Sequence, residues 1–180
     1  MEYIDILDKD GNKTGLTKPK PEIHKNGDWH RASHIWIINF QNELLIQRRS
    51  STKENYPNLW DISAAGHISA GEDSITSALR ETKEELGLKL DKEDVQYLFS
   101  TIEQVVLNNG AYIDNEIHDV YLARKDVDVS NMQIQKEEVT EVKFVYFKQV
   151  EKMITSDASI FVPHPEEYKQ LFEFLEKSAK

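Results

Sequence analysis

The chain contains no cysteine, which removes thiolate nucleophiles, zinc–thiolate centres, disulfide frameworks and thiol redox switching from its possible chemistry. Long apolar runs are missing too: no stretch of roughly 20 apolar residues is present to cross a bilayer as a helix, so no membrane partner is expected. Met1-Glu2-Tyr3-Ile4-Asp5 has neither the basic n-region nor the apolar h-region of a secretory leader, and the expected compartment is the cytoplasm. Basic residues are in deficit, 22 Lys and Arg against 32 Asp and Glu, for a formal net charge of −10. That balance argues against binding a nucleic-acid polymer, which requires a basic stripe that displaces counterions. An acidic protein that handles phosphates must hold them through a cation or a few placed positive side chains. Internal repeats, low-complexity tracts and a Gly-x-Ser-x-Gly turn are also lacking, and spacing identifies no Ser-His-Asp arrangement.

What is present fits one globular domain over residues 1–180. Ile4, Ile6 and Leu7 lead into Asp8-Lys9-Asp10-Gly11-Asn12, residues suited to a tight turn, so residues 2–17 read as a strand pair within an N-terminal hairpin extension of about residues 1–30. Lys18-Pro19-Lys20-Pro21 reads as an extended connector. His34 to Phe40 is rich in β-formers, and Gln41-Asn42-Glu43 turns the chain into Leu44-Leu45-Ile46-Gln47, a second hairpin. Residues 73–86 carry a helical period, with Ile75, Ala78, Leu79, Thr82 and Leu86 on one face, Asp73 or Ser74 as cap and Gly87 as stop. Strand-like stretches follow around 95–106, 116–123 and 141–147, then a short helix at 148–155 and a terminal one at about 165–178. Strands before, between and after a few helices imply a mixed sheet with helices on both sides, an α/β class.

On the helix of residues 73–86, Glu81, Glu84 and Glu85 share a face away from the apolar stripe. Like charges three and four positions apart cost about 0.2–0.5 kcal/mol per pair, and Lys83 points elsewhere, so no basic residue on that face is expected to relieve them. A bound cation would remove the penalty, and magnesium prefers such hard carboxylate oxygens. Charge-rich helix faces are also common as plain solvated surface. The wider segment decides between the two. It runs Gly66-His67-Ile68-Ser69-Ala70-Gly71-Glu72-Asp73-Ser74-Ile75-Thr76-Ser77-Ala78-Leu79-Arg80-Glu81-Thr82-Lys83-Glu84-Glu85-Leu86-Gly87-Leu88. Residues 66–88 resemble the Nudix box, G-x5-E-x7-R-E-U-x-E-E-x-G-U with U aliphatic, and depart from it only at Thr82, which lies in the apolar stripe.

The resemblance implies an α/β/α sandwich with a mixed sheet and a metal-dependent diphosphohydrolase activity. It implies that Glu81, Glu84 and Glu85 bind Mg2+ or Mn2+, that the Gly66 carbonyl adds a ligand, that Arg80 orients the glutamates, and that Glu72 ties the loop to the helix N-terminus. It leaves the general base open among Glu81, Glu137, Glu138 and Glu141. The flanks, residues 4–147, are similar to isopentenyl-diphosphate isomerases of the same fold. His24, His30, His67, Asp114 and Glu116 stand where that branch holds a metal. Arg48, Arg49 and Lys53, ahead of Pro57 and Trp60, stand where it grips a diphosphate, although a basic surface cluster is an equal reading.

That branch moves protons on carbon with a cysteine directly before the Gly-His pair, and this chain has Ala65 there. Alanine cannot transfer a proton, whereas the carboxylates needed for hydrolysis are complete, so the sequence favours hydrolysis of a small-molecule diphosphate, such as a nucleoside diphosphate linked to another moiety. Isomerase-like activity and a non-catalytic phosphometabolite-binding domain are the alternatives. His34, His118 and His164 are assigned ordinary structural roles, and Trp36, Trp60, Tyr112 and Phe144 are assigned chiefly to the core, with stacking on an apolar moiety or base as the other reading. A homodimer is plausible for such a domain, with no seam legible in the sequence.

Overall fold

The computed structural model describes residues 1–178. Its N-terminal hairpin joins β1 (Tyr3–Leu7) to β2 (Lys13–Pro19), and Asp8 closes the turn by accepting the Asp10 and Asn12 backbone amides, both at 2.9 Å. Of the expected extended connector, Lys18 and Pro19 are extended as the end of β2, but Lys20 and Pro21 begin a helix, α1 (Lys20–Asn26). Pro19 and Pro21 suited the extended reading, but proline is equally at home in a first helical turn, where no amide is needed. Burial of Ile23 and His24 draws the segment onto the sheet, and Gly27, at φ 68°, ends it in a left-handed cap.

β3 (Trp29–Ile38) is the spine of the sheet. It begins five residues before the stretch predicted from His34, because Trp29 to Ser33 find partners on a distant strand. β3 pairs in parallel with β8 (Tyr112–Arg124), from Trp29 opposite Asn115 to Ile38 opposite Arg124. Its other edge carries β6 (Ala64–His67), antiparallel, with His34 opposite Ala65. β4 (Glu43–Arg49) follows the predicted turn and lies between β9 (Val139–Tyr146) and the two-residue β5 (Trp60–Asp61). β7 (Val95–Leu107) pairs along β8. The sheet is therefore mixed, and β5 and β6 are too short to have shown a period.

Alternation along β3 builds a core on each face. Ile35 and Ile37 pack with Ala78 and Leu86 of α2 (Ser74–Leu86). Trp36 and Ile38 pack with Phe147 and Val150 of α3 (Phe147–Ser156) and with Leu171, Phe172 and Leu175 of α4 (Pro165–Ser178). Helices thus cover both faces, the predicted α/β/α sandwich. Among the described residues no helix is long and apolar enough to cross a membrane.

Candidate active site and metal centre

α2 begins and ends where the sequence placed it. The Asp73 side chain accepts the Thr76 amide at 2.8 Å, and Gly87, at φ 67°, caps the C-terminus. Thr82 is fully buried, as its place in the stripe required, and its hydroxyl is satisfied by donating to the Ala78 carbonyl at 2.7 Å. The opposite face turns Glu81, Glu84 and Glu85 toward a cavity of about 830 Å³, whose wall also includes Gly66, Arg80 and His67.

Arg80 organises this wall. Its Nε and Nη2 donate to the two oxygens of Glu72 at 3.1 and 2.9 Å, Nη1 donates to Glu81 at 2.6 Å and to Glu84 at 3.3 Å, and Nη2 also reaches the His67 carbonyl at 3.2 Å. The expectation that no base relieves the acidic face is therefore corrected: a guanidinium is long and forked enough to reach round the helix to it. Glu72, besides pairing with Arg80, accepts the Ser69 amide at 3.3 Å, so it pins the loop that precedes α2.

The relief is partial. Glu84 is half exposed, but Glu85 is only 7% exposed and receives just the Gln47 amide at 3.1 Å and the Ala65 backbone N–H at 3.4 Å. Burial, reinforced by the nearby Glu81 charge, pushes the Glu85 carboxyl up to about 8. Burial also raises Glu81, against the pull of Arg80. A wall of crowded, under-neutralised carboxylate oxygens is the donor set a hard divalent cation takes, so these residues fit Mg2+ or Mn2+. Gly66 lies against Glu81 so closely that a Cβ there would stand 2.5 Å from Glu81 Cγ and overlap the carboxyl group itself.

One residue further along β6, His67 enters a second group with His24, His30, Asp114 and Glu116. The His24 and His67 Nε2 atoms are 3.2 Å apart; Asp114 Oδ1 lies 3.5 Å from His24 Nδ1 and 3.4 Å from His30 Nε2; Glu116 Oε1 lies 3.2 Å from His30 Nε2 and 3.4 Å from His67 Nε2. Four of these atoms, His24 Nδ1, His30 Nε2, Asp114 Oδ1 and Glu116 Oε1, are buried without a hydrogen-bond partner. Orphaned buried polar atoms are costly unless something fills the space between them. Ligands about 2.1 Å from a common ion are themselves separated by roughly 3.0–3.4 Å, so both the spacing and the orphaned atoms fit a metal. Three imidazoles in the set suit zinc or another transition metal better than magnesium. Burial holds His67 well below its usual range, favouring the neutral imidazole that a metal needs.

The predicted diphosphate grip is divided. Arg49 and Lys53 reach the cavity, Arg49 bound to Asp61 at 3.0 Å and to the Asn55 carbonyl at 3.1 Å, and Lys53 paired with Glu138. Arg48 lies outside: strand alternation turns it to the other face, where it donates to the Asn58 carbonyl at 3.1 Å and approaches Glu141 at 4.0 Å. Glu141 shares that surface, whereas Glu137 and Glu138 line the cavity with Glu81. Tyr112 also lines the cavity and stacks on His24 at 4.2 Å, while Trp36 is buried in the core as assigned. Sequence reasoning missed a further polar group on the cavity floor: His34, Asp61, Glu103 and His164 all line it. A signal existed, since His34 follows His30, and His118 follows Glu116, at the even spacing that keeps side chains on one face of a strand.

A model of the NUDIX domain matches residues 28–164. The chain belongs to the Nudix family. It is 42% identical over 179 residues to Nudix hydrolase 3 of Arabidopsis thaliana, a match covering 97% of this chain and 23% of the plant protein, so it spans about a quarter of that relative. It is 27% identical over 176 residues to the isopentenyl-diphosphate Delta-isomerase of Cutibacterium acnes, covering 96% of this chain and 87% of the isomerase. Among solved structures, a Deinococcus radiodurans protein superposes with a TM-score of 0.68 at 20% identity, covering 86% of this chain and 90% of that one, and so shares the Nudix fold.

Proposed function

We propose that this Nudix protein hydrolyses a diphosphate linkage in a small organic diphosphate, the leading class being a nucleoside diphosphate joined to another moiety, with Mg2+ or Mn2+ held by Glu81, Glu84, Glu85 and the Gly66 carbonyl. The observation that carries this is the wall of crowded carboxylates, with Glu81 and Glu84 tied together by Arg80 and the buried Glu85 still short of positive charge. A divalent cation bound there supplies the positive charge that offsets negative charge building on the leaving phosphate. Lys53 and Arg49 reach the same cavity and suit phosphate oxygens, though each must share itself with an acidic partner, Glu138 and Asp61. Glu138 lines the cavity and is paired with Lys53 there, which supports it as a base candidate over Glu141 on the outer surface; Glu81 remains the candidate within the helix.

The residues His24, His30, His67, Asp114 and Glu116 are proposed as a second metal site, supported by their orphaned atoms and mutual spacing. Histidine ligation alone does not choose between hydrolysis and isomerisation, and Ala65 supports hydrolysis. It lines the cavity beside Gly66 with a methyl group that can neither give nor take a proton. The test is a panel of nucleoside-linked and isoprenoid diphosphates incubated with Mg2+ or Mn2+, with product identification and solvent-deuterium exchange run in parallel. Turnover that falls at least a hundredfold in Glu84→Gln and Glu85→Gln, with no deuterium entering isopentenyl diphosphate, is the expected result. Unchanged turnover in both variants, or exchange into the isoprenoid, overturns the assignment.

A further inference from the structure

Two groups of buried histidines and carboxylates meet inside this molecule, and their polar atoms are in opposite conditions. The group of His24, His30, His67, Asp114 and Glu116 contains four orphaned atoms. The neighbouring group, built on His34, His118, His164 and Glu167, contains none among the described residues. His34 Nδ1 donates to Glu167 Oε2 at 2.7 Å, Trp36 Nε1 donates to Glu167 Oε1 at 2.8 Å, and His164 Nδ1 donates to Glu103 Oε2 at 2.8 Å. These bonds are shorter than the roughly 3.0 Å at which two ligands of one ion would sit, and each already satisfies its donor and acceptor. The second group is therefore satisfied at these atoms by its own hydrogen bonds, whereas the first is not.

Glu116 belongs to both groups. Its Oε1 faces His30 and His67 in the orphaned set, while its Oε2 accepts a hydrogen bond from His118 Nε2 at 2.9 Å. A glutamate free at one oxygen can rotate about its last torsion, which is broad. A donor fixed on the outer oxygen removes that freedom and aims the inner one. His118 is itself restrained: its ring stacks on His34 with centroids 3.9 Å apart and an interplanar angle of 25°, and the edge of His164 closes a third side at 5.5 Å. His34 is held in turn by Glu167, which is 1% exposed although it lies in the first turn of α4, whose other acidic residue there, Glu166, is exposed. A carboxylate buried so completely in an otherwise amphipathic helix needs a partner, and His34 with Trp36 provides it.

We propose that His118 is the positioning residue of the histidine metal cluster, holding the outer oxygen of Glu116 so that the inner oxygen faces His30 and His67, and that Glu167 of the C-terminal helix secures His118 through His34. This rests on reading the cluster as a metal site, so the experiment separates the two claims. Zinc alone is titrated into the metal-free protein against a chromophoric chelator, with no substrate present, and urea unfolding of each variant is followed separately. Glutamine places its amide nitrogen near the position of Nε2, and asparagine places it near that of Nδ1. His118→Gln is expected to keep zinc affinity within about threefold of the parent, whereas His118→Asn loses about 10- to 100-fold, the range for removing an outer hydrogen bond from a metal ligand.

His24→Ala reports on the cluster itself, and undiminished zinc binding in that variant overturns the metal reading. Lost binding in His24→Ala combined with parental affinity in His118→Asn leaves the cluster standing and overturns the positioning role, even if urea shows the variant to be less stable. Should His118→Asn fail to fold, Glu167→Gln takes its place. It leaves either His34 or Trp36 without a carboxylate oxygen, and zinc affinity is expected to fall about threefold or more; unchanged affinity there counts against the proposal in the same way.

Discussion

Gly66→Ala separates the geometry of the carboxylate wall from the stability of the fold. A Cβ at this position would stand 2.5 Å from Glu81 Cγ and closer still to the carboxyl group, whereas carbon atoms in contact sit at about 3.5–4.0 Å. Something must therefore move by about 1 Å or more, and the obstacle is the end of a flexible side chain rather than backbone. Gly66 is also the one glycine of the seven without a positive φ, so alanine brings no backbone strain. The carboxylate swings away, and the 2.6 Å bond from Arg80 to Glu81 stretches or breaks with it. A misplacement of about 1 Å in a reacting constellation costs on the order of 100-fold in rate, equivalent to about 2.7 kcal/mol of barrier. The loss in folding stability should be only that of one charged hydrogen bond, about 1.5–3 kcal/mol. Steady-state hydrolysis of the best substrate from the diphosphate panel, together with thermal unfolding, checks both. A folded Gly66→Ala protein with kcat within threefold of the parent would refute the claim that Glu81 must occupy that space.

Glu85→Gln should abolish turnover yet stabilise the protein measured in chelator. The folded pKa of Glu85 is raised to about 8, so its favourable contribution is present below about 4.5 and is lost as pH rises toward 8; the gap to the variant should widen by at most about 1.4 kcal/mol per pH unit across that window in urea titrations. Glu167 behaves oppositely: although burial opposes its charge, His34, His164 and His118 hold its folded pKa down to about 2, so its stabilisation is present above about 4.5 and disappears as pH falls toward 2. Glu167→Gln should remove roughly 3 kcal/mol at neutral pH and flatten the acid limb of the unfolding curve, and an unchanged acid limb would contradict this. Arg80→Lys keeps the charge but cannot reach Glu72, Glu81 and Glu84 together, and kcat should fall at least about tenfold in the same assay. Lys53→Ala should raise KM several-fold, on the order of 1 kcal/mol of lost phosphate binding, while Arg48→Ala, on the outer face, leaves KM unchanged; equal effects would show that the grip extends beyond the cavity.

The elements that were legible are those whose signal is local. The α2 stripe, its Asp73 cap and its Gly87 stop each follow from residues within one turn of the place they act, and the turn at Asp8–Asn12 is likewise closed by its own side chains. Glu81, Glu84 and Glu85 fall together for the same reason, because helical spacing alone brings them to one face. The helix α1 was hidden by a local signal that points two ways: proline suits both an extended segment and a first helical turn, and the choice was made by Ile23 finding a buried place against Ile4 and Ile6. Arg48 and Arg49 show how far two neighbours can diverge. In a strand they must face opposite ways, so a basic pair cannot be one grip, and only the strand pairing with β5 and β9 reveals which of them turns inward.

The histidine network left only a faint local trace, the even spacing of His30 with His34 and of Glu116 with His118, because what brings its members together is not local. His34 and His118 approach because β3 and β8 run parallel with Ala32 opposite His118, a register set by the apolar alternation of both strands rather than by the histidines. Glu167 arrives from α4, whose docking is driven by Tyr168, Leu171, Phe172 and Leu175 against the far face of the sheet. Once that helix is seated, its buried carboxylate has a charge that, among the described residues, His34, His118, His164 and Trp36 answer. The apolar packing therefore comes first in the causal order and the polar network is its consequence. A substitution such as Leu171→Ala, made far from any ligand, should loosen the seat of α4 by about 2–5 kcal/mol and, through Glu167 and His34, weaken zinc binding at the histidine cluster in the variant that remains folded. If zinc affinity were untouched while stability fell by that amount, the network would be a passenger on the core rather than its link to the site.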